Sequence, residues 1–221
     1  MRYTTWRKKL SKSGLIYVVL DQDTIDKYKL DIFKLAYRLS SEEIDIFQFR
    51  FTKGYDKEIL VKAKKISRIV KKRQKLFIVN NRIDIACLAE ADGVHLGEED
   101  IDVDSARCLL KNNKLIGRTI HSFKEYIKLP SKNNIDYISV GPIFKSEVKP
   151  QLEPISLKCL KKIMKYINIP LFAIGGINKN NLSYITSKVG IKNIAVGKGI
   201  ILEKNIRETI SKLRECLLNH F

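Results

Sequence analysis

Gln48 and Arg50 stand two residues apart at the end of the apolar run Ile44-Asp-Ile-Phe-Gln-Phe-Arg50. In an extended chain that spacing puts both side chains on one face. An amide beside a guanidinium suits a phosphate or diphosphate, because the planar fork of arginine grips two oxygens at once. The other reading of Arg50 is an interior ion pair, which needs an acid nearby. Gly175-Gly176 and Gly197-Lys198-Gly199 follow two later apolar runs. Glycine lets backbone N–H groups come close to an anion, and Lys198 adds charge; as plain turn-makers the same glycines need no ligand. Asn80, Asn81 and Asp100 offer amide and carboxylate oxygens, which Mg²⁺ takes together with substrate phosphates. Glu98 and Glu99 adjoin Asp100, so a helix-capping acidic loop is the plainer alternative. The stretch Gly141 to Lys149 is a candidate lid in which Ser146 and Lys149 are phosphate-type donors. His121 ends an apolar run, with acid–base chemistry in reach near neutral pH. His95 lies inside a run and reads as a packed, hydrogen-bonded core histidine. Nothing resembles a Ser-His-Asp triad, a P-loop or a dinucleotide fingerprint.

The elements that must position these groups are short apolar runs. They are Leu15 to Leu20, Ile44 to Arg50, Leu76 to Asn81, Gly93 to Leu96, Leu115 to His121, Tyr137 to Phe144, Pro170 to Ile174 and Asn193 to Val196. Each is too short for a helix and too apolar for an edge strand, so each reads as a buried parallel strand. Between them lie helical patterns: Asp26 to Leu39, Asp56 to Lys72, Ile83 to Ala91, Ser105 to Lys111 capped by Asp104, and a short helix capped by Ser122. Leu157 to Tyr166, Lys179 to Lys188 and Asn205 to Leu218 follow. Eight strand–helix units with short connections predict a single-domain α/β (β/α)8 TIM barrel over residues 14–221, after a basic N-terminal segment, 1–13. Such a barrel gathers its chemistry at the C-terminal strand ends and often binds phosphate after strands seven and eight.

Composition narrows the class. The net charge of +18 admits nucleic acid, a multiply phosphorylated substrate, or lysines on solvated helix faces. The lysines are dispersed, with no aromatic-basic stripe, which favours solvated faces and no nucleic-acid partner. The four cysteines are widely spaced without a Cys-x-x-Cys, so buried free thiols are expected rather than disulfides or a metal site. No apolar stretch approaches the roughly 20 residues of a membrane span, and the N-terminus lacks the apolar core of a signal peptide. A cytoplasmic protein without a membrane partner is the expectation; a homo-oligomer is left open.

Four segments carry a resemblance: Asn80-Asn-Arg-Ile-Asp-Ile-Ala86, Ala91-Asp-Gly-Val-His-Leu-Gly97, Asp136-Tyr-Ile-Ser-Val-Gly-Pro-Ile-Phe144 and Ala173-Ile-Gly-Gly-Ile177. In order and spacing the chain after about Gly14 resembles the thiamine phosphate synthases, in the superfamily they share with the thiazole tautomerases. The resemblance implies a transferase of thiamine biosynthesis. It joins a pyrimidinylmethyl diphosphate to a thiazole phosphate, with Mg²⁺ and basic groups stabilising the departing pyrophosphate. It implies that Gln48, Phe49, Arg50, Phe51 and Thr52, with Asn80, Thr119 and Lys149, meet the pyrimidine diphosphate. Arg50, Thr119 and Lys149 would be the catalytic groups. It places Ser146, Glu147, Val148, Gly176, Gly197 and Lys198 at the thiazole phosphate, and Asn81 and Asp100 at the Mg²⁺.

The chain also departs from that pattern. Thr52 stands where the family usually has lysine, and Lys53 comes one residue late. Asn81 replaces an aspartate, Val148 a threonine and Lys198 a serine, while Thr119 for serine keeps the hydroxyl. Three readings follow in order: a synthase, a thiazole tautomerase with His121 as its acid–base group, and a non-catalytic phosphate-binding or nucleic-acid-associated barrel.

Overall fold

The computed structural model describes residues 2–129, 132–148 and 150–219. Eight parallel strands close on themselves in chain order. They are β1 (Ile16–Asp21), β2 (Ile46–Arg50), β3 (Leu76–Asn80), β4 (Gly93–Leu96), β5 (Leu115–Ile120), β6 (Tyr137–Val140), β7 (Leu171–Ile174) and β8 (Ile194–Val196). Register pairs Tyr17 with Ile46 on one side and with Ala195 of β8 on the other. The helices are α1 (Arg2–Leu10), α2 (Gln22–Lys27), α3 (Ile32–Ser40), α4 (Asp56–Lys72), α5 (Ile83–Leu88), α6 (Val103–Leu110), α7 (Phe123–Lys128), α8 (Leu157–Tyr166), α9 (Leu182–Val189), α10 (Lys198–Ile201) and α11 (Ile206–Leu218). Among the described residues no helix is long and apolar enough to cross a membrane.

Strand alternation splits the buried residues into two sets. Ile16, Val18, Phe47, Phe49, Phe77 and Val79 face outward and pack with the apolar stripes of the helices. Tyr17, Ile46, Leu76, Leu115, Tyr137, Phe172 and Ala195 face inward and fill the barrel. Gly117 belongs to this inner set: a Cβ there would lie 2.1 Å from the Tyr137 ring, so only glycine leaves room for that tyrosine.

The N-terminal rim is stitched by a recurring device. The residue just before β2, β4 and β6 is an aspartate, and before β8 it is an asparagine. Asp45 accepts from the Ile16 N–H (3.0 Å), Asp92 from Phe77 (2.9 Å), Asp136 from Ile116 (2.8 Å) and Asn193 from Leu15 (3.0 Å). Each thereby gives a partner to a backbone donor at the start of a neighbouring strand, where the ladder offers none. Within the basic N-terminal stretch the described residues pack on the barrel. This stretch holds α1, whose Leu10 and Trp6 cover the inner core, and Arg7 Nε reaches Asp136 Oδ1 at 2.6 Å.

Several boundaries differ from the sequence reading. The helix expected over Asp26 to Leu39 is two helices. Lys29 takes a left-handed φ of 53°, and Asp31 starts α3 by accepting from the Phe33 and Lys34 N–H groups. Asp102, not Asp104, caps α6. The sixth strand ends at Val140 rather than Phe144, since Pro142 has no N–H to extend the ladder. The cysteines are free but not buried: Cys87 and Cys108 are exposed, Cys159 and Cys216 half-buried. The lysines sit on solvated helix faces: on α4, Lys57, Lys64, Lys65 and Lys72 are exposed while Ile59, Ala63, Ile66 and Val70 are buried.

Candidate active site

A cavity of about 540 Å³ opens at the C-terminal ends of the strands. Its wall follows from alternation. The inward positions above the apolar fill are Asp21, Gln48, Arg50, Asn80, His95, Thr119 and His121 on β1 to β5 and just after, with Val19 of β1, Ile174 of β7 and Ala195 of β8. The β6–α8 loop, with Ser146, Glu147 and Val148, and the Gly176 and Gly197–Lys198 turns complete the mouth.

Each polar group is held by another. Gln48 Nε2 donates to Asn80 Oδ1 at 3.0 Å, and Asn80 Nδ2 to Asn81 Oδ1. Arg50 Nη1 donates to Asp21 Oδ1; Asp21 Oδ2 accepts from Thr24 Oγ1 (2.5 Å) and from Thr24 N (3.2 Å). Asp21 is 4% exposed, so the acid that an interior ion pair requires is present beneath Arg50. That pair leaves a multi-donor guanidinium anchored at one corner while its side chain lines the cavity. His121 Nδ1 lies 2.6 Å from the Gly141 carbonyl and donates to it, so Nε2 is the ring nitrogen left to exchange protons. Lys198 Nζ meets Glu147 Oε2 at 2.5 Å and lies 5.5 Å from the centre of the Tyr28 ring. The Glu147 hydrogen bond raises the Lys198 ammonium pKa and, from the other side, lowers that of the Glu147 carboxyl.

Gly176 shows what its residue type is for. Its φ is +66°, and a Cβ would meet the Lys145 carbonyl oxygen and the Phe144 Cβ at 2.7 Å each. Glycine here lets the β6–α8 loop lie down against the end of β7. That loop is itself anchored by Ile143 N donating to Ile174 O (2.9 Å) and Phe144 N to Gly175 O (2.9 Å).

Of the residues expected at the site, Gln48, Arg50, Asn80, Thr119, Ser146, Glu147, Val148, Gly176, Gly197 and Lys198 line this one cavity. Phe49 and Phe51 do not. Phe49 alternates outward into the helix-packed core, and the two rings stack obliquely with centroids 5.0 Å apart. Thr52 is exposed, outside the cavity wall, with its hydroxyl on Asp23. Asn81 and Asp100 sit just past β3 and β4 on the same rim without lining the cavity. Lys149 lies outside the described residues. Asp21 and Lys145 line the cavity and were missed. Asp21 was legible, since it continues the inward phase Tyr17, Val19, Asp21 at the end of its strand.

For Mg²⁺ the oxygen donors are sparse. Asp100 Oδ2 accepts from Gly97 N at 2.5 Å, and the Asn81 amide oxygen serves Asn80. Among the described residues no three His, Cys, Asp or Glu side chains cluster to hold a metal ion. One carboxylate and one amide on neighbouring strand ends fit a Mg²⁺ that is held mainly by substrate phosphates and water.

Comparison with known proteins agrees with this geometry. A family model described as thiamine monophosphate synthase matches residues 16–200. A thiamine-phosphate synthase of Persephonella marina is 34% identical over 204 residues, 92% of this chain and 96% of the relative. One from Prochlorococcus marinus is 43% identical over 158 residues, 72% of this chain but 44% of the relative. The chain spans about half the length of the Prochlorococcus relatives it matches. Among solved structures, a thiamine phosphate pyrophosphorylase from Pyrococcus furiosus superposes with a TM-score of 0.82 at 26% identity, covering 98% of this chain and 99% of its own.

Proposed function

The chain belongs to the thiamine monophosphate synthase family, and from that premise we propose that it condenses a pyrimidinylmethyl diphosphate with a thiazole phosphate, releasing thiamine phosphate and pyrophosphate. The observation that carries the reading is the convergence of Gln48, Arg50, Asn80 and Thr119 from three strands on one cavity, opposite the glycine-and-lysine turns after β7 and β8. In the reaction the bond between the pyrimidine methylene carbon and the diphosphate oxygen breaks, and a bond from that carbon to the thiazole nitrogen forms. The leaving oxygen keeps the electron pair. Arg50, fixed by Asp21, faces the charge that accumulates on the diphosphate, and Gln48, Asn80 and Thr119 orient it. Lysine 149 extends the same cationic set in the sequence. The Gly176 turn, with Gly197 and Lys198 at the start of α10, is the corner where barrels hold a substrate phosphate, here that of the thiazole. The polar groups are tied to one another before substrate arrives, so little reorganisation opposes charge development. No protein nucleophile is required.

In this reading Asp100 and Asn81 hold the Mg²⁺. When bound, the ion neutralises part of the leaving group's charge. Asn81→Asp restores a second carboxylate, and the expected result is half-maximal activation at lower Mg²⁺. A titration showing no change or weaker activation counts against the placement. We place this reaction in the cytoplasm.

A direct assay decides the function. Purified protein is mixed with both phosphorylated substrates and Mg²⁺, and thiamine phosphate and pyrophosphate are followed; equimolar appearance of the two is expected. His121 at the cavity wall favours a second reading, a thiazole tautomerase. Proton exchange on the thiazole without either product would select it. DNA binding at moderate salt with neither activity would select a non-catalytic barrel.

A further inference from the structure

A hydrogen-bonded chain runs up the barrel axis beneath the site. The Tyr17 and Tyr137 hydroxyl oxygens are 3.1 Å apart, Tyr137 Oη is 3.1 Å from His95 Nδ1, and His95 Nε2 is 2.7 Å from Thr119 Oγ1. Both tyrosines are fully buried, and the Tyr17, Tyr137 and Phe172 rings pack against one another. Burial raises both phenol pKa values, so each keeps its proton. Thr119 and His95 line the cavity, and the two tyrosines lie beneath it.

Such a chain has two polarities, and the buried end selects between them. Among the described residues, Tyr137 is the hydrogen-bond partner of the Tyr17 hydroxyl. If Tyr137 donated to Tyr17, the Tyr17 proton would have no acceptor inside an apolar core, which costs the desolvation of a donor outright. If Tyr17 donates, only lone pairs go unused. Tyr17 therefore donates to Tyr137, and Tyr137 donates to His95 Nδ1. The imidazole then carries its proton on Nε2 and donates it to Thr119 Oγ1. With that lone pair occupied, the Thr119 proton is directed away from His95, toward the cavity.

We infer that His95 is a positioning residue, locked by the two tyrosines as the Nε2–H tautomer, which makes Thr119 an obligate hydrogen-bond donor to an acceptor atom of the substrate. Resting on the synthase reading, the acceptor is an oxygen of the pyrimidine diphosphate. A donor fixed in this sense meets the leaving group's growing negative charge without a rotor having to turn. A sequence with a hydrophobic residue at position 95 would leave the Thr119 hydroxyl free to rotate.

The tautomer is directly measurable. In ¹⁵N-histidine-labelled protein the three histidines are separable, and the His95→Gln spectrum identifies the missing one. The expected result at neutral pH is a pyrrole-type Nε2 and a pyridine-type Nδ1 for His95. An Nδ1–H tautomer or a doubly protonated ring overturns the inference. In the activity arm, His95→Gln retains a donor toward Thr119 and is expected to keep kcat within about tenfold, as is Thr119→Ser. His95→Leu and Thr119→Val are expected to lower kcat about a hundredfold with KM nearly unchanged, the size seen for loss of one preorganised donor. A folded His95→Leu variant with wild-type kcat also overturns it. If the wild-type protein forms no thiamine phosphate, the functional reading fails, and the nitrogen shifts still decide the tautomer.

Discussion

On the proposed synthase function, Arg50→Ala is expected to lower kcat/KM for thiamine phosphate formation by at least about thirtyfold, or about 2 kcal/mol of transition-state stabilisation. The guanidinium lines the cavity while Asp21 holds one of its corners, so it is oriented before the diphosphate arrives. A leaving group that gains charge as its bond breaks is stabilised more at the transition state than in the ground state, and the loss falls on kcat. The same substitution strips the cation from Asp21, whose side chain is 5% exposed. Thr24 still donates twice to that carboxylate, so the fold survives with a stability loss of roughly 1–3 kcal/mol. Asp21→Asn separates the two effects. It keeps the Arg50 charge but loosens its aim, and a loss of about tenfold in kcat/KM is expected. Wild-type rates in Arg50→Ala would remove Arg50 from the mechanism, and equal losses in both variants would mean that aim alone matters.

Asp136→Ala is expected to unfold more readily by about 3–5 kcal/mol, the cost of breaking a buried ion pair from one side. Its carboxylate is fully buried and accepts from Arg7 Nε at 2.6 Å, Arg107 Nη2 at 2.7 Å and the Ile116 N–H at 2.8 Å. Without it the guanidinium of Arg107, 9% exposed, loses this buried ion pair and keeps the Lys111 and Lys114 carbonyls on Nη1 and that of Asn134 on Nη2. The start of β5 also loses its acceptor, and α1 loses a tie to the barrel floor. For a chain of this size the melting temperature should fall by roughly 10 °C. The position lies at the N-terminal rim, so kcat of the folded fraction should stay at the wild-type value. A large kcat loss with unchanged denaturation would contradict this division between a stabilising end and a reactive end of the barrel.

The division was largely legible from residue order. The helices over Asp56 to Lys72 and Leu157 to Tyr166 and the strand over Gly93 to Leu96 have the bounds their apolar spacing indicates. Gln48 and Arg50 line the cavity because a strand alternates faces every residue, and the same rule explains why Phe49 does not, though it lies between them. The resemblance groups positions 48–52 together, whereas of these Gln48 and Arg50 line the cavity. The short helix α10 and the break at Lys29 escaped notice because each depends on one turn of backbone, which apolar spacing does not resolve.

What residue order determined alone is the set of inward-facing positions, since side-chain direction along a strand is a local property. Which of those positions touch was decided by closure of the ring. Arg50 meets an acid 29 residues away, the two barrel tyrosines are 120 apart, and His95 joins a tyrosine 42 positions on. Those separations follow from strand register and barrel radius, quantities that no window of neighbouring residues contains. The same holds for α1, a basic stretch in the chain that becomes the floor of the barrel only because the inner apolar residues leave an open end to cover.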